Sequence, residues 1–151
     1  MSTREIIFAV FGVLGLMAVR FLAPMVFYDP LIAFFHQVDY QINVLPEIQY
    51  FTLFISLLIR FVVNSVLSLV LIKSLFKRSE ILEVTAVLFG ITFLILTPIL
   101  FYLIWDGSPN NYQFLFYVRR ILIHPILTLV LIPAYLYHQN RSKSKSKKEM
   151  E

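Results

Sequence analysis

The sequence predicts an all-α integral membrane protein, a bundle of four transmembrane helices, and three observations lead to this class. The first is composition: 59% of the 151 residues are hydrophobic and only 15% are charged, whereas soluble domains contain about 45–50% apolar and about 25% charged residues. The second is the presence of four long apolar stretches. The third is the distribution of basic residues among the segments that connect them.

The apolar stretches set the predicted spans. A helix crosses the hydrocarbon core of a bilayer with about 20 apolar residues, and the stretches at about 6–27, 50–72, 81–105 and 114–138 reach this length. The first exceeds the apolar core of a signal peptide, about 7–15 residues, so we interpret it as a retained span. Residues 1–139 are therefore predicted to form one membrane domain, followed by a cytoplasmic basic tail at 140–151.

The connection between the first two spans contains a short apolar segment of its own. We expect this segment to form an interfacial helix with its apolar face toward lipid; its apolar residues are Leu31, Ile32, Phe34 and Phe35.

Lysine and arginine residues predict the orientation of the bundle. Nine of the thirteen lie before the first span, between the second and third, or after the fourth, and the other two connections contain none. Because basic residues concentrate on the cytoplasmic side of membrane proteins, both termini are predicted to be cytoplasmic. The remaining four are arginines within the spans: Arg20, Arg60, Arg119 and Arg120.

These embedded arginines need partners, because an arginine at the centre of a span costs about 2.5–3.5 kcal/mol on insertion scales. With the predicted orientation and a rise of about 1.5 Å per residue, all four lie at the centre or in the outer half of the membrane. The outer connections supply carboxylates and no basic residue. We therefore predict one polar cluster of the four arginines with Asp29, Asp39, Glu47 and Asp106.

Residues spaced four apart extend the predicted cluster along two helices. Ser56, Arg60, Asn64 and Ser68 form one stripe on the second span, and Arg120, His124 and Thr128 form another on the fourth. We expect the two stripes to face each other, so Asn64 and His124 join the cluster. Two alternatives stay open: Arg20 and Arg119 could extend to outer headgroups, and the cluster could serve only to hold the helices together.

The residue types exclude several kinds of chemistry. The chain has no cysteine, so it has no disulfide, thiolate metal site or cysteine nucleophile. His36, His124 and His138 fall at different depths, and we predict neither a metal site nor a cofactor. We interpret the basic tail as a topology anchor attracted to anionic lipid rather than a nucleic-acid site. No catalytic residue is predicted, although a hydrolase that pairs a serine with His124 stays open.

Several short motifs resemble a known family, the small exosortase F-associated membrane proteins of Bacteroidota. The motifs are Arg20-Phe21, Phe27-Tyr28-Asp29-Pro30, Arg60-Phe61, Asn64-Ser65-x-Leu67-Ser68-Leu69, Phe116-Tyr117-Val118-Arg119-Arg120-x-Leu122-Ile123-x-Pro125 and Ile132-Pro133-Ala134. The resemblance covers all but the tail, and its most specific part is FYVRR-x-LI-x-P.

The resemblance implies a bacterial inner-membrane location and a non-catalytic accessory protein for an exosortase, a membrane enzyme thought to process C-terminal sorting signals. It implies no mechanism for this chain, and it leaves the oligomeric state unknown. Exosortases use a cysteine, so this chain is not expected to be that enzyme. Besides membrane lipids, an exosortase-like enzyme is thus an expected partner. A module that binds or transports an anionic lipid or glycan phosphate is the alternative, because arginine pairs bidentately with phosphate.

Overall fold

The structure is a computed structural model that describes residues 3–37, 39, 44–76, 79–124 and 126–148, with side chains to residue 137 apart from that of Ser79. All regular elements of this described part are helical. In chain order they are α1 (Thr3–Val26), α2 (Pro30–Phe35), α3 (Tyr50–Leu75), α4 (Ser79–Asp106), a 3₁₀ turn (Pro109–Asn111), α5 (Tyr112–Ile123) and α6 (Ile126–Lys148).

Three of these helices, α1, α3 and α4, are long and apolar enough to cross a membrane. This confirms the prediction of an all-α protein with several spans, and their bounds lie within a few residues of the predicted ones. The fourth predicted span is two helical segments, Pro109–Ile123 and Ile126–Tyr137, which bend by 64° at the junction. The described part of the chain thus has three continuous candidate spans, or four if the bent pair crosses as one.

The break lies within the predicted fourth span at 114–138, which the structure forms as a bent pair of helices. A residue that precedes proline is pushed out of the helical region, because the proline ring clashes with its backbone. Pro125 itself lies outside the described residues, but His124 is extended at φ −113° and ψ 146°. Asn64 Nδ2 of α3 donates a hydrogen bond to the Ile123 carbonyl at 3.0 Å. The side chain thereby satisfies a carbonyl at the helix end, as broken membrane helices require.

α3 is the central helix of the bundle. α1, α4 and α5 each pack against it, and α4 also packs against α5. The approach of α1 depends on Gly12, where an added Cβ would lie 3.2 Å from Leu71 Cβ and 3.4 Å from the Leu67 carbonyl oxygen. Such small residues let helix backbones approach closely in membranes.

The short helix α2 lies where the sequence predicts a helix, but its apolar face packs on protein rather than on lipid. Leu31 is 0% exposed and Phe34 is 3% exposed. The Phe34 ring packs edge-on against Tyr112 of α5, and the Phe35 ring packs edge-on against Phe116. α2 therefore covers one end of the bundle, which we call the α2 end.

The chain after residue 139 continues a helix. The predicted tail begins at 140, whereas the backbone of α6 is helical through Lys148. The helical backbone of α6 therefore extends into the segment predicted as a basic tail.

A substitution at Gly12 tests the packing of α1 on α3. We expect Gly12→Leu to lower the thermal midpoint of the detergent-purified protein, because overpacking costs about 1–3 kcal/mol. Gly90→Leu is the matched control, since an added Cβ at Gly90 meets no atom within 4 Å and both variants gain the same helix propensity. Equal midpoints for the two variants would contradict this packing.

Candidate functional site

Asp29 is the centre of the buried polar contacts at the α2 end. It immediately precedes α2, yet its carboxylate makes no capping hydrogen bond to that helix. Instead it accepts hydrogen bonds from Arg119 of α5: Nη2 donates to Oδ2 at 2.6 Å, and Nε lies 3.1 Å from Oδ2 and 3.2 Å from Oδ1. The Asp29 side chain is only 2% exposed. This fork-like pairing joins α2 to α5.

Arg60 of α3 approaches the same carboxylate from the other side. Its Nη1 lies 3.5 Å from Asp29 Oδ2, and its guanidinium stands 5.9 Å from the centre of the Phe27 ring. Arg60 is only 4% exposed, yet its Nε has no hydrogen-bond partner in the described part of the chain. Two buried guanidinium groups thus share one carboxylate, and one buried donor is left over.

The predicted stripe on α3 points into the bundle along its whole length. Ser56 Oγ accepts a hydrogen bond from the Tyr28 amide at 3.2 Å, and Asn64 binds the Ile123 carbonyl at the break of the fourth span. Further along α3, Ser68 Oγ accepts a hydrogen bond from Thr128 Oγ1 of α6 at 2.7 Å. Thr128 therefore faces α3, as the spacing predicts.

Arg120, the first member of the predicted stripe on the fourth span, does not face α3. It is exposed and packs over the Phe116 ring at 5.9 Å, whereas its neighbour Arg119 is the arginine that faces α3. His124 lines a small cavity together with Ser68 and Thr128, so the bend at His124 separates Arg120 from the other two members of the stripe. Arg119 instead shares the buried face of α5 with Leu115 and Leu122, which are four and three residues away.

A cavity of about 540 Å³ lies beside these contacts. Its lining includes all four embedded arginines: Arg20, Arg60, Arg119 and Arg120. Arg60 and Arg119 are buried at its base, and Arg20 and Arg120 are exposed at its edge.

His36 and His124 also line this cavity. His36 Nδ1 lies 2.7 Å from the Ile32 carbonyl oxygen, and because a carbonyl can only accept, this nitrogen is the donor.

The other carboxylates of the predicted cluster lie apart from these buried contacts. Asp39 and Glu47 are exposed. Asp106, also exposed, accepts a hydrogen bond from Asn111 Nδ2 at 2.9 Å. Among the described residues, Asp29 is the carboxylate that pairs with the embedded arginines. Four guanidinium groups therefore line the cavity, and one buried acid outside its lining pairs with two of them.

The described residues contain no group of three potential metal ligands among His, Asp and Glu. His124 also lines a small cavity of about 20 Å³ together with Ser65 and Ser68, but Ser68 Oγ is the partner of Thr128. Within the described part of the chain, His124 makes no hydrogen bond to either serine. The geometry therefore presents cations for binding rather than an activated nucleophile.

Comparison of the chain with protein-family models, curated proteins and solved structures found no match. The resemblance described above therefore remains a prediction from the motif residues. The structure shows a small multi-span helical membrane protein with buried ion pairs between arginine and aspartate.

Substitution of Arg119 tests the importance of the shared carboxylate. We expect Arg119→Ala to destabilise the protein by about 3–5 kcal/mol, because removal of one partner leaves a buried charge poorly compensated. Arg120→Ala, one residue away and exposed, is expected to change stability by no more than about 0.5 kcal/mol. Denaturant unfolding in mixed micelles measures both.

If Arg119→Ala does not accumulate, Arg119→Lys provides the same test, because lysine keeps the charge but loses the fork-shaped pair. Wild-type stability of the lysine variant would contradict a structural need for that pair.

Proposed function

We propose that this protein is a non-catalytic membrane protein that binds a phosphate-type anion, carried by a lipid or a glycan, in the arginine-lined cavity. The observation that carries the proposal is the charge of that cavity. Four guanidinium groups line it, and one buried carboxylate offsets only one of their four positive charges. Arginine suits phosphate because its planar fork can donate two parallel hydrogen bonds.

The energetic argument concerns the two buried arginines. Arg119 alone satisfies the Asp29 carboxylate with its fork, while Arg60 reaches one oxygen at 3.5 Å and keeps an unpartnered Nε. A buried charge with unsatisfied donors is costly in a medium of low dielectric. A bound anion would neutralise the surplus charge and accept hydrogen bonds from the donors that remain.

We further propose that both termini are cytoplasmic and that the membrane is the inner membrane of a bacterium. The excess of lysine and arginine at one end of the spans supports this orientation. In this orientation the α2 end faces the periplasm, and the cavity lies in the outer half of the bilayer.

Retention of a phosphorus-containing molecule tests the binding proposal. We expect native mass spectrometry of the protein, purified in a mild detergent, to show a bound phosphate-bearing molecule at about one per chain. Arg20→Ala combined with Arg120→Ala should reduce its occupancy about tenfold or more, since hydrogen bonds to charged groups contribute about 1.5–3 kcal/mol each.

The control for this experiment is Arg4→Ala, which changes the same residue type on the same helix at the opposite end of α1. It should retain the ligand. The proposal is contradicted if the double variant retains as much ligand as the control, or if wild type binds neither phosphatidic acid nor pyrophosphate when these are supplied.

The second candidate function is an accessory subunit of an exosortase-type enzyme, with the cavity placed where that enzyme would act on sorting signals. The observation that favours it is the position of the motif residues. The motifs that carry the resemblance include every embedded arginine of the cavity as well as Asp29 and Asn64. A cavity that such a partner completes would explain why these residue types occur together.

Co-purification tests this second candidate. In cells that also produce an exosortase, the tagged protein should retain the enzyme, and Arg120→Ala should weaken the association while leaving expression intact, because Arg120 is exposed and not part of the buried pair. Arg4→Ala serves again as the control. Normal processing of sorting signals in a strain that lacks this protein would argue against the accessory role.

A further inference from the structure

We infer that the ligand of the arginine-lined cavity is the headgroup of a membrane lipid with a terminal phosphate, and that this headgroup enters sideways between α1 and α5. The inference rests on the proposed anion site and adds the class of ligand and its route. Its basis is the arrangement of the helices that form the walls of the cavity.

The helices that line the cavity indicate where it could open toward the membrane. α1 contributes Arg20 and Pro24, α5 contributes Phe116 and Arg120, and Arg60 of α3 lies at the base. α2 covers the end toward the connecting segments with Ile32, Phe35 and His36. In the described part of the chain α1 and α5 each pack on α3 but make little contact with each other. We therefore infer that the mouth of the cavity lies between α1 and α5.

The position of the two exposed arginines places this mouth on the flank of the bundle. Arg20 lies six residues before the end of α1 at Val26, and Arg120 lies eight residues after the start of α5 at Tyr112. At about 1.5 Å per residue, the two are about 9 Å and about 12 Å below the helix ends at the α2 end. A soluble anion would have to pass α2 or cross apolar surroundings to reach them.

Exposed aromatic residues that follow lining residues in the chain suit a lipid whose chains stay in the bilayer. Phe21 follows Arg20 and is exposed, and Tyr117 on α5 is exposed as well. An acyl or isoprenoid chain can pack against these apolar surfaces while its phosphate reaches the guanidinium groups. Long side chains of arginine at such depth reach headgroups in the same manner.

Charge indicates which headgroup fits. The cavity has a surplus of three positive charges over the buried carboxylate when its histidines are neutral. A terminal monoester phosphate carries about −1.5 to −2 charges at neutral pH, and a diphosphate carries more. A diester headgroup such as phosphatidylglycerol carries only one. We therefore expect preference for a lipid with a terminal phosphate or diphosphate.

The test uses the full chain in phosphatidylcholine nanodiscs that contain dioleoyl phosphatidic acid or dioleoyl phosphatidylglycerol at equal density. Native mass spectrometry should show phosphatidic acid bound with about tenfold or greater preference, and the preference should disappear in the combined Arg20→Ala and Arg120→Ala variant but persist in Arg4→Ala. Phosphatidic acid with a photoreactive group on its acyl chain should crosslink to α1 and α5 rather than to α4, which contributes no wall.

The outcomes separate this inference from the proposed function. If inorganic pyrophosphate or glycerol 3-phosphate occupies the wild-type cavity and phosphatidic acid shows no preference over phosphatidylglycerol, the anion site stands and the lipid route is overturned. Crosslinks on α4 that match those on α1 and α5 would also overturn the route. If no phosphate-bearing probe binds in an arginine-dependent manner, both the site and the route fail.

Discussion

The structure depends on one carboxylate that two guanidinium groups share inside an apolar bundle. Asp29 immediately precedes α2, Arg60 lies in α3 and Arg119 lies in α5. The three are far apart in the chain, yet they meet within hydrogen-bond or ion-pair distance. In such surroundings an unpaired charge costs several kcal/mol, so the three elements are constrained together. α2 consequently covers the bundle end, and the Phe34 and Phe35 rings pack edge-on against rings of α5.

The break in the fourth span also helps to bring Arg119 to Asp29. Because His124 precedes a proline, it adopts an extended backbone, and α5 becomes a separate amphipathic helix of only twelve residues. Its buried face then presents Arg119 to Asp29 without regard to the register of α6. Asn64 donates a hydrogen bond to the Ile123 carbonyl, so this carbonyl is not left without a partner in the apolar interior where the helix breaks.

Periodicity and charge made much of this fold predictable. The three continuous spans and the inward stripe of α3 follow from apolar length and a spacing of four, and each stripe residue of α3 finds a polar partner. The choice between Arg119 and Arg120 was not predictable in this way. Adjacent residues point about 100° apart around a helix, so the choice depends on how α5 is rotated. The bend at His124 separates that rotation from the rotation of α6. The selection of Asp29 among four acids depends on α2 docking on α5, a tertiary contact that no local pattern encodes.

A purely structural role explains the pair of Asp29 and Arg119 but not the whole group. That pair is complete on its own, since three hydrogen bonds join the two side chains. Arg60 adds a second buried charge with an unpartnered Nε, which weakens rather than strengthens an isolated bundle. Arg20 and Arg120 then add further positive charge at the edge of the same cavity. Repulsion among four guanidinium groups is relieved when an anion lies between them, and this physical demand favours a ligand over a structural cross-link.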